Sequence, residues 1–253
     1  MGGALVRAAS KAVDPSSIFV TNRTMEKARS LAEETGAEIA SAEEIAQQCG
    51  LIFLGVKPAQ LQELLSSLDP ILSAREDRFV LVSMAAAVSI EKLRSYCGNY
   101  PVIRIMPNTP VSVGEGTILY CSCDVTEGET AAFRSTLSAA GLLCPVEETM
   151  IDAGSALSGC GPAFAFLFME ALEDGGVRCG LRRSDARLLS AQTLLGSAKL
   201  LLESGKHPGE LKDAVCSPGG TTIAGVLSLE ESAFRAAAAN AVVSAWRRTL
   251  EMK

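Results

Sequence analysis

The residues best suited to chemistry stand in one run near the C-terminal end, His207-Pro208-Gly209-Glu210-Leu211-Lys212-Asp213-Ala214-Val215-Cys216-Ser217-Pro218-Gly219-Gly220-Thr221-Thr222-Ile223. Its Ser-Pro-Gly-Gly-Thr-Thr stretch leads into a helical pattern, which leaves several backbone N–H groups unpaired at the helix start. A nest of that kind, on the positive end of a helix, is an anion site for a carboxylate or phosphate. His207 stands beside a proline with no Asp or Ser partner in reach along the sequence, and reads as a cap or a packing residue. A second set lies at the ends of strand-like runs in the first half. Asn22-Arg23-Thr24 places a guanidinium and two hydrogen-bonding side chains where an NAD-preferring site puts a carboxylate, a composition suited to a 2′-phosphate. A solvated turn capping the Met25 helix is the other reading. Val56-Lys57-Pro58 and Met106-Pro107-Asn108-Thr109-Pro110 end two further strands, and their prolines fix the backbone so that neighbouring groups are aimed in one direction. Plain loops remain the alternative there.

These sets need elements to hold them. Strand-like runs at Ser17–Thr21, Glu38–Ala40, Leu51–Val56, Phe79–Met84, Pro101–Met106 and Thr117–Cys123 alternate with helical stretches at Leu5–Ala12, Met25–Gly36, Ala42–Cys49, Gln60–Leu72, Ile90–Cys97 and Glu127–Ala140. Alternation at this spacing predicts an open, doubly wound, mostly parallel sheet with helices on both faces, whose ligand lies at the carboxyl ends of the strands. The expected GxGxxG turn is missing. Met1-Gly2-Gly3-Ala4 runs straight into a helix and looks like the last turn of such a loop, its first strand and opening glycines absent. From about Ile151 the β signal stops, and helices are predicted over Gly161–Asp174, Ser184–Ser204, Gly209–Val215, Thr221–Leu229 and Ser232–Lys253. The predicted division is therefore an α/β domain over 1–146 and an all-helical domain over 147–253. The run Ala163-Phe164-Ala165-Phe166-Leu167-Phe168-Met169 is apolar nearly all round, and a second subunit is its expected cover. Gly159 and Gly161 beside it suit close packing of helices, with Pro162 in the first turn.

Composition narrows the function classes. Of 253 residues 48% are apolar and 21% charged, which excludes a disordered or collagen-like chain. The net charge of −6 leaves no basic excess for nucleic acid or an anionic membrane. The longest apolar stretches, Phe79–Ile90 and Pro162–Met169, fall short of the roughly 18 residues of a membrane span. Eight cysteines without a CxxC pair, and a single histidine, form no zinc set. Reduced thiols in a cytoplasm are expected, although Arg, Lys and Ser near the N-terminus could also mimic an organellar transit peptide.

Taken together the motifs resemble the pyrroline-5-carboxylate reductase family. Val56-Lys57-Pro58, Ser83-Met84-Ala85-Ala86, Met106–Pro110, Leu157–Phe164, Asp174-Gly175-Gly176-Val177 and His207–Ile223 occur in the family's order along essentially the whole chain. The resemblance implies NADPH as cofactor, with NADH a weaker substitute, on a Rossmann-like first domain. It also implies a homodimer intertwined through the helical domain, often assembled further into rings of dimers. Met1 would lie at the cofactor's phosphate loop, and Asn22 and Arg23 would face the 2′-phosphate. Val56, Lys57, Pro58, Ala85 and Ala86 would line the ribose and nicotinamide, with Asn108 at the nicotinamide end. Val215, Ser217, Gly219, Gly220 and Thr221 would bind the substrate, and Thr222, the catalytic residue of the set, would hydrogen-bond its ring nitrogen. Glu148 would lie near the substrate.

The chain departs from the family pattern mainly at its start, where about ten residues of strand and turn are missing. Either the true start lies upstream, or the chain is naturally shortened with impaired cofactor binding. Smaller departures are Ala42 for a common Asn, Cys160 for Ser, Phe164 for Tyr, and Ala214 for a polar residue. Two other readings stand beside the reductase. One is an NADP-dependent β-hydroxyacid dehydrogenase or other imine reductase, which would turn on a lysine such as Lys199 or Lys212. The other is a non-catalytic subunit that dimerises but binds no cofactor.

Overall fold

The computed structural model describes residues 1–251. They divide into two compact units, the first formed by Met1–Cys160 with the chain from Trp246 onward, the second by Gly161–Ala245.

The first unit carries the sheets. In chain order its elements are α1 (Gly2–Ala9), β1 (Phe19–Val20), α2 (Met25–Thr35), β2 (Glu38–Ile39), α3 (Ala42–Gln48), β3 (Leu51–Leu54), α4 (Pro58–Leu72), β4 (Val80–Ser83), α5 (Ile90–Arg94), β5 (Val102–Pro107), β6 (Gly116–Cys123), α6 (Glu127–Thr136), β7 (Gly141–Pro145) and α7 (Ile151–Ser158). Local signals set many of the boundaries. Ser41 with Glu44, and Thr126 with Glu129, form reciprocal capping boxes at the starts of α3 and α6. Pro58 opens α4 at a position where its missing N–H costs nothing, and Gly36 closes α2 in a left-handed conformation at φ 76°.

Strands β3 to β7 form one five-stranded sheet in that order, parallel throughout except for the antiparallel β5–β6 pair, while β1 and β2 form a separate parallel pair. Among the described residues no ladder lies on the free edges of β1 and β3. Helix α1 packs on both sheets, with Leu5 and Ala8 against Val80, Val82 and Ile103, and Val6 against Val20, Ala32 and Ala37. The opposite face of the larger sheet is covered by α4, whose Leu61, Leu65, Leu68 and Leu72 recur at helical spacing and are all buried. Cys121 and Cys123, two residues apart on β6, share that face.

Several boundaries differ from the sequence expectation. Pro15–Ser17 is a 3-10 turn held by the Asp14 side chain, so the predicted strand over Ser17–Thr21 shrinks to two residues. The first helix starts at Gly2 and ends at Ala9, earlier than Leu5–Ala12. The helix expected to reach Ala140 stops at Thr136, and the following Gly141–Pro145 is a strand that the sequence did not reveal. Gly141 pairs with Gly116, and a Cβ at Gly141 would lie 2.2 Å from the Gly116 carbonyl oxygen. A residue pair without side chains is thus what admits β7, whereas in sequence the same glycine reads as a helix stop. Helix α7 was also missed. Its Gly154, which weakens a helical pattern, is where Leu119 of β6 packs, 2.5 Å from a notional Cβ.

The second unit is helical: α8 (Gly161–Arg178), α9 (Arg183–Ser204), α10 (Pro208–Ala214), α11 (Thr221–Glu231) and most of α12 (Phe234–Glu251). Helices α8 and α9 pack closely, with Ala186 of α9 3.0 Å from a notional Cβ on Gly176. Buried Glu173 binds Arg183 and Arg187, which hold its carboxyl below the usual range, Arg187 foremost. The segment Glu148–Arg178 is long and apolar enough, by length and composition, to cross a membrane. The uninterrupted apolar run inside it is the shorter Pro162–Met169 counted from sequence, and the helix is broken between Ser158 and Gly161.

Candidate active site

Each predicted cofactor group falls in the first unit, at or just beyond the carboxyl end of a parallel strand or at the start of α1. After β1, the Asn22 side-chain oxygen accepts the Thr24 N–H at 2.9 Å, a turn that leaves Arg23 exposed. After β3, Lys57 is exposed at the N-terminal cap of α4, Val56 is half-buried and Pro58 exposed. Among the described residues neither Arg23 nor Lys57 has an ion-pair partner. After β4, Ala85 is buried and Ala86 exposed, and Ala87 sits in the left-handed region at φ 59°, a conformation disfavoured for a residue with a Cβ. At the start of α1 the Gly2 and Gly3 N–H groups have no acceptor and no side chain caps the helix among the described residues, and Met1 is exposed. Asn108 after β5 is buried and serves the fold: its Nδ2 donates to the Ser158 carbonyl at 2.9 Å, and its Oδ1 accepts the Thr117 N–H at 2.8 Å.

These residues fit a dinucleotide phosphate. Two unpaired cations at strand ends, and an uncapped helix start with open space beside Gly2, suit the 2′-phosphate and pyrophosphate. No carboxylate stands within Asn22–Thr24 to repel the former.

The predicted substrate set falls mostly in the second unit. Gly219 takes φ +67°, and Gly220 caps α11, with a notional Cβ there only 2.3 Å from Ser217 Oγ. Gly220 N–H donates back to the Ser217 carbonyl, while the N–H groups of Thr221, Thr222 and Ile223 have no acceptor among the described residues. Val215, Ser217, Thr221 and Thr222 are exposed around this nest. His207 caps α10, its Nδ1 accepting the Gly209 N–H at 3.1 Å. Lys212 pairs with Asp213, which raises its pKa, and Lys199 pairs with Glu203 at 3.7 Å.

Glu148 belongs to the first unit, where Oε1 accepts from Ile90 N at 2.7 Å and from Arg104 Nη1 at 3.1 Å. Arg104 and Asp152, the two buried members of this cluster, were missed in sequence. The signal was there: a charged residue inside the apolar run Val102-Ile103-Arg104-Ile105-Met106 of a central strand is buried only when paired. Glu148 also lines an open groove of about 810 Å³ beside α5, together with Arg94, Tyr120 and Cys121. None of the cofactor candidates lines it.

Comparison with known proteins decides the family. Residues 148–252 match a family described as pyrroline-5-carboxylate reductase dimerisation, and residues 1–87 one described as NADP oxidoreductase, coenzyme F420-dependent. A pyrroline-5-carboxylate reductase of Arabidopsis thaliana is 40% identical over 246 residues, 96% of this chain and 88% of the relative. The chain belongs to the pyrroline-5-carboxylate reductase family. The family spans widely separated organisms, for the Escherichia coli member is 39% identical over 95% of this chain and 90% of its own length. Among solved members, that of Coxiella burnetii matches all of this chain and 94% of its own at a TM-score of 0.92 and 32% identity. That of Plasmodium falciparum, a structure with NADP bound, matches at 0.83 and 31%, covering all of this chain and 94% of its own.

Proposed function

We infer that this chain reduces 1-pyrroline-5-carboxylate to L-proline with NADPH, the last step of proline synthesis. The observation that carries the reading is the presence, in one family member, of two separate anion-binding arrangements: unpaired Arg23 and Lys57 at strand ends, and the open N-terminus of α11.

When bound, NADPH supplies a hydride to the carbon of the cyclic C=N bond. Arg23, with Asn22 and Thr24, binds the 2′-phosphate, which favours NADPH over NADH. The Gly2 and Gly3 N–H groups, beside Met1, face the pyrophosphate. Val56, Lys57, Pro58, Ala85 and Ala86 shape the wall beside ribose and nicotinamide, and Asn108 fixes the corner at the nicotinamide end. The Thr221 and Thr222 N–H groups, with Ser217, Gly219, Gly220 and Val215 around them, hold the substrate carboxylate. The Thr222 hydroxyl hydrogen-bonds the ring nitrogen. A protonated imine is already electrophilic, and water provides that proton, so the side chains supply position rather than strong acid or base. A β-hydroxyacid dehydrogenase reading turns on a catalytic lysine in the helical domain, whereas Lys212 pairs with Asp213 and Lys199 with Glu203.

We take 1–146 as the cofactor domain and 147–253 as the dimerisation and substrate domain of a homodimer, which further associates as a ring of dimers. The apolar face of α8 is then a subunit interface and not a membrane span. A reducing cytoplasm suits eight unpaired cysteines, of which Cys97 and Cys121 have thiols pushed up to about 11 by burial. The test is isotopic: with NADPH deuterated at the transferable nicotinamide position, deuterium is expected at C5 of proline. A folded chain that binds NADPH but yields unlabelled proline, or none, refutes the assignment.

A further inference from the structure

Between β4 and α5 the chain makes a short loop, Met84–Ser89, whose middle residue Ala87 is held in the left-handed region at φ 59°. A left-handed alanine persists only where its surroundings over-determine it. The two sides of the loop supply that constraint differently. On the β4 side, Ala85 is buried and its N–H reaches Ser83 Oγ at 3.4 Å. On the α5 side, the first N–H of the helix, that of Ile90, donates to Glu148 Oε1 at 2.7 Å. Glu148 comes from 58 residues further along the chain, so this bond is no product of local sequence.

The same oxygen is fixed from behind. Arg104 is 3% exposed in the middle of β5, and its Nη1 meets Glu148 Oε1 at 3.1 Å while Nη2 meets Asp152 Oδ1 at 3.4 Å. Its Nε is buried without a partner. A cation in so dry a place is costly unless its carboxylates stay in register, and that requirement pins Glu148. The chain of contacts therefore runs from the sheet centre, through one carboxylate, to the helix end that closes the Ala85–Val88 loop.

We infer that Glu148 is a positioning residue for the cofactor: fixed by Arg104, it holds the Ile90 N–H and keeps the Ala85–Val88 loop in the shape that receives the nicotinamide end. This rests on the NADPH reading above, and it gives Glu148 a role on the cofactor side in place of direct contact with the imine.

Three variants of the full chain test the role: Glu148→Ala, Glu148→Gln and Arg104→Met. Amide hydrogen exchange without cofactor should show Ile90 exchanging about tenfold faster in Glu148→Ala, with β4 and β5 protected as before. The NADPH dissociation constant should rise by about tenfold while the KM for the imine stays within about twofold, the loss of one charge-assisted bond. Glu148→Gln keeps an oxygen that can accept the Ile90 N–H but loses the charge facing Arg104, so both readouts should fall between wild type and Glu148→Ala. Arg104→Met should reproduce the Glu148→Ala effect on NADPH, and the double variant should be no worse than either single one. Unchanged exchange at Ile90, or a rise spread evenly over the first unit, overturns the inference. So does a rise in imine KM alone. Failure of the wild-type chain to bind NADPH overturns the functional reading itself and is seen before any variant is made.

Discussion

The two compact units handle apolar surface in opposite ways. The first hides Leu54, Leu61, Leu65, Phe133, Leu137 and Ile151 almost completely, between sheet and helices of its own. The second leaves Phe166 62%, Leu167 68% and Leu202 81% exposed, and among its described residues only Glu173, Ala186 and Ser190 are buried. One unit carries its own core, whereas the other is a set of helices that leaves much of its apolar surface uncovered. Exposed patches of that extent mark an interface, and the match of residues 148–252 to a dimerisation family agrees.

The comparison breaks first at α8. Phe166→Glu combined with Leu167→Glu should convert the dimer to monomers in sedimentation experiments and lower activity by more than about 100-fold, since each charge lands in a desolvated interface. A variant that stays dimeric would move the interface elsewhere. In the first unit, Phe133→Ala should cost about 3–5 kcal/mol of unfolding free energy, as for a fully buried aromatic. That loss should be independent of protein concentration, whereas unfolding of the second unit should shift to higher denaturant as concentration rises. Identical concentration dependence of both would erase the distinction drawn between them.

The acid side offers a smaller effect. Glu129 is held down to about 2, by the Arg78 side chain first and then by the Thr126 N–H and hydroxyl of its capping box. A carboxyl whose folded pKa is depressed stabilises fully above its unfolded value near 4.5, and the contribution fades as pH falls toward 2. Glu129→Gln should therefore flatten the acid limb of the first unit's stability between those values and leave the second unit's unchanged. Chemical denaturation at a series of pH values measures it, and an unaltered acid limb would mean that Arg78 and Glu129 do not stay paired in solution.

Much of the candidate site could be proposed from sequence because its groups stand where strands end and helices begin. Asn22–Thr24, Val56–Pro58 and Ser217–Thr222 are marked by turn residues and prolines, and those signals are local. What the sequence hid is non-local. Gly141 reads as a stop until Gly116 is placed opposite it, and Gly154 reads as a helix breaker until Leu119 packs there. Asn108 reads in sequence as part of a polar corner between prolines, and its amide joins β6 to the end of α7 across 50 residues. Arg104 was readable as an anomaly, a charge in an apolar strand, but its partners Glu148 and Asp152 come from beyond β7 and no spacing rule connects them.

On the proposed function the two units divide the two ligands, with NADPH phosphates on the first and the imine carboxylate on the second. The direct test is steady-state kinetics of NADPH oxidation with 1-pyrroline-5-carboxylate for Arg23→Glu and Gly220→Ala, each KM measured separately. Arg23→Glu should raise the NADPH KM by about 10- to 100-fold, the worth of one or two charge-assisted hydrogen bonds, and leave the imine KM unchanged. Gly220→Ala, whose new Cβ would crowd Ser217 Oγ, should raise the imine KM and leave that for NADPH unchanged. Both variants acting on the same KM, or neither acting on either, would contradict the division.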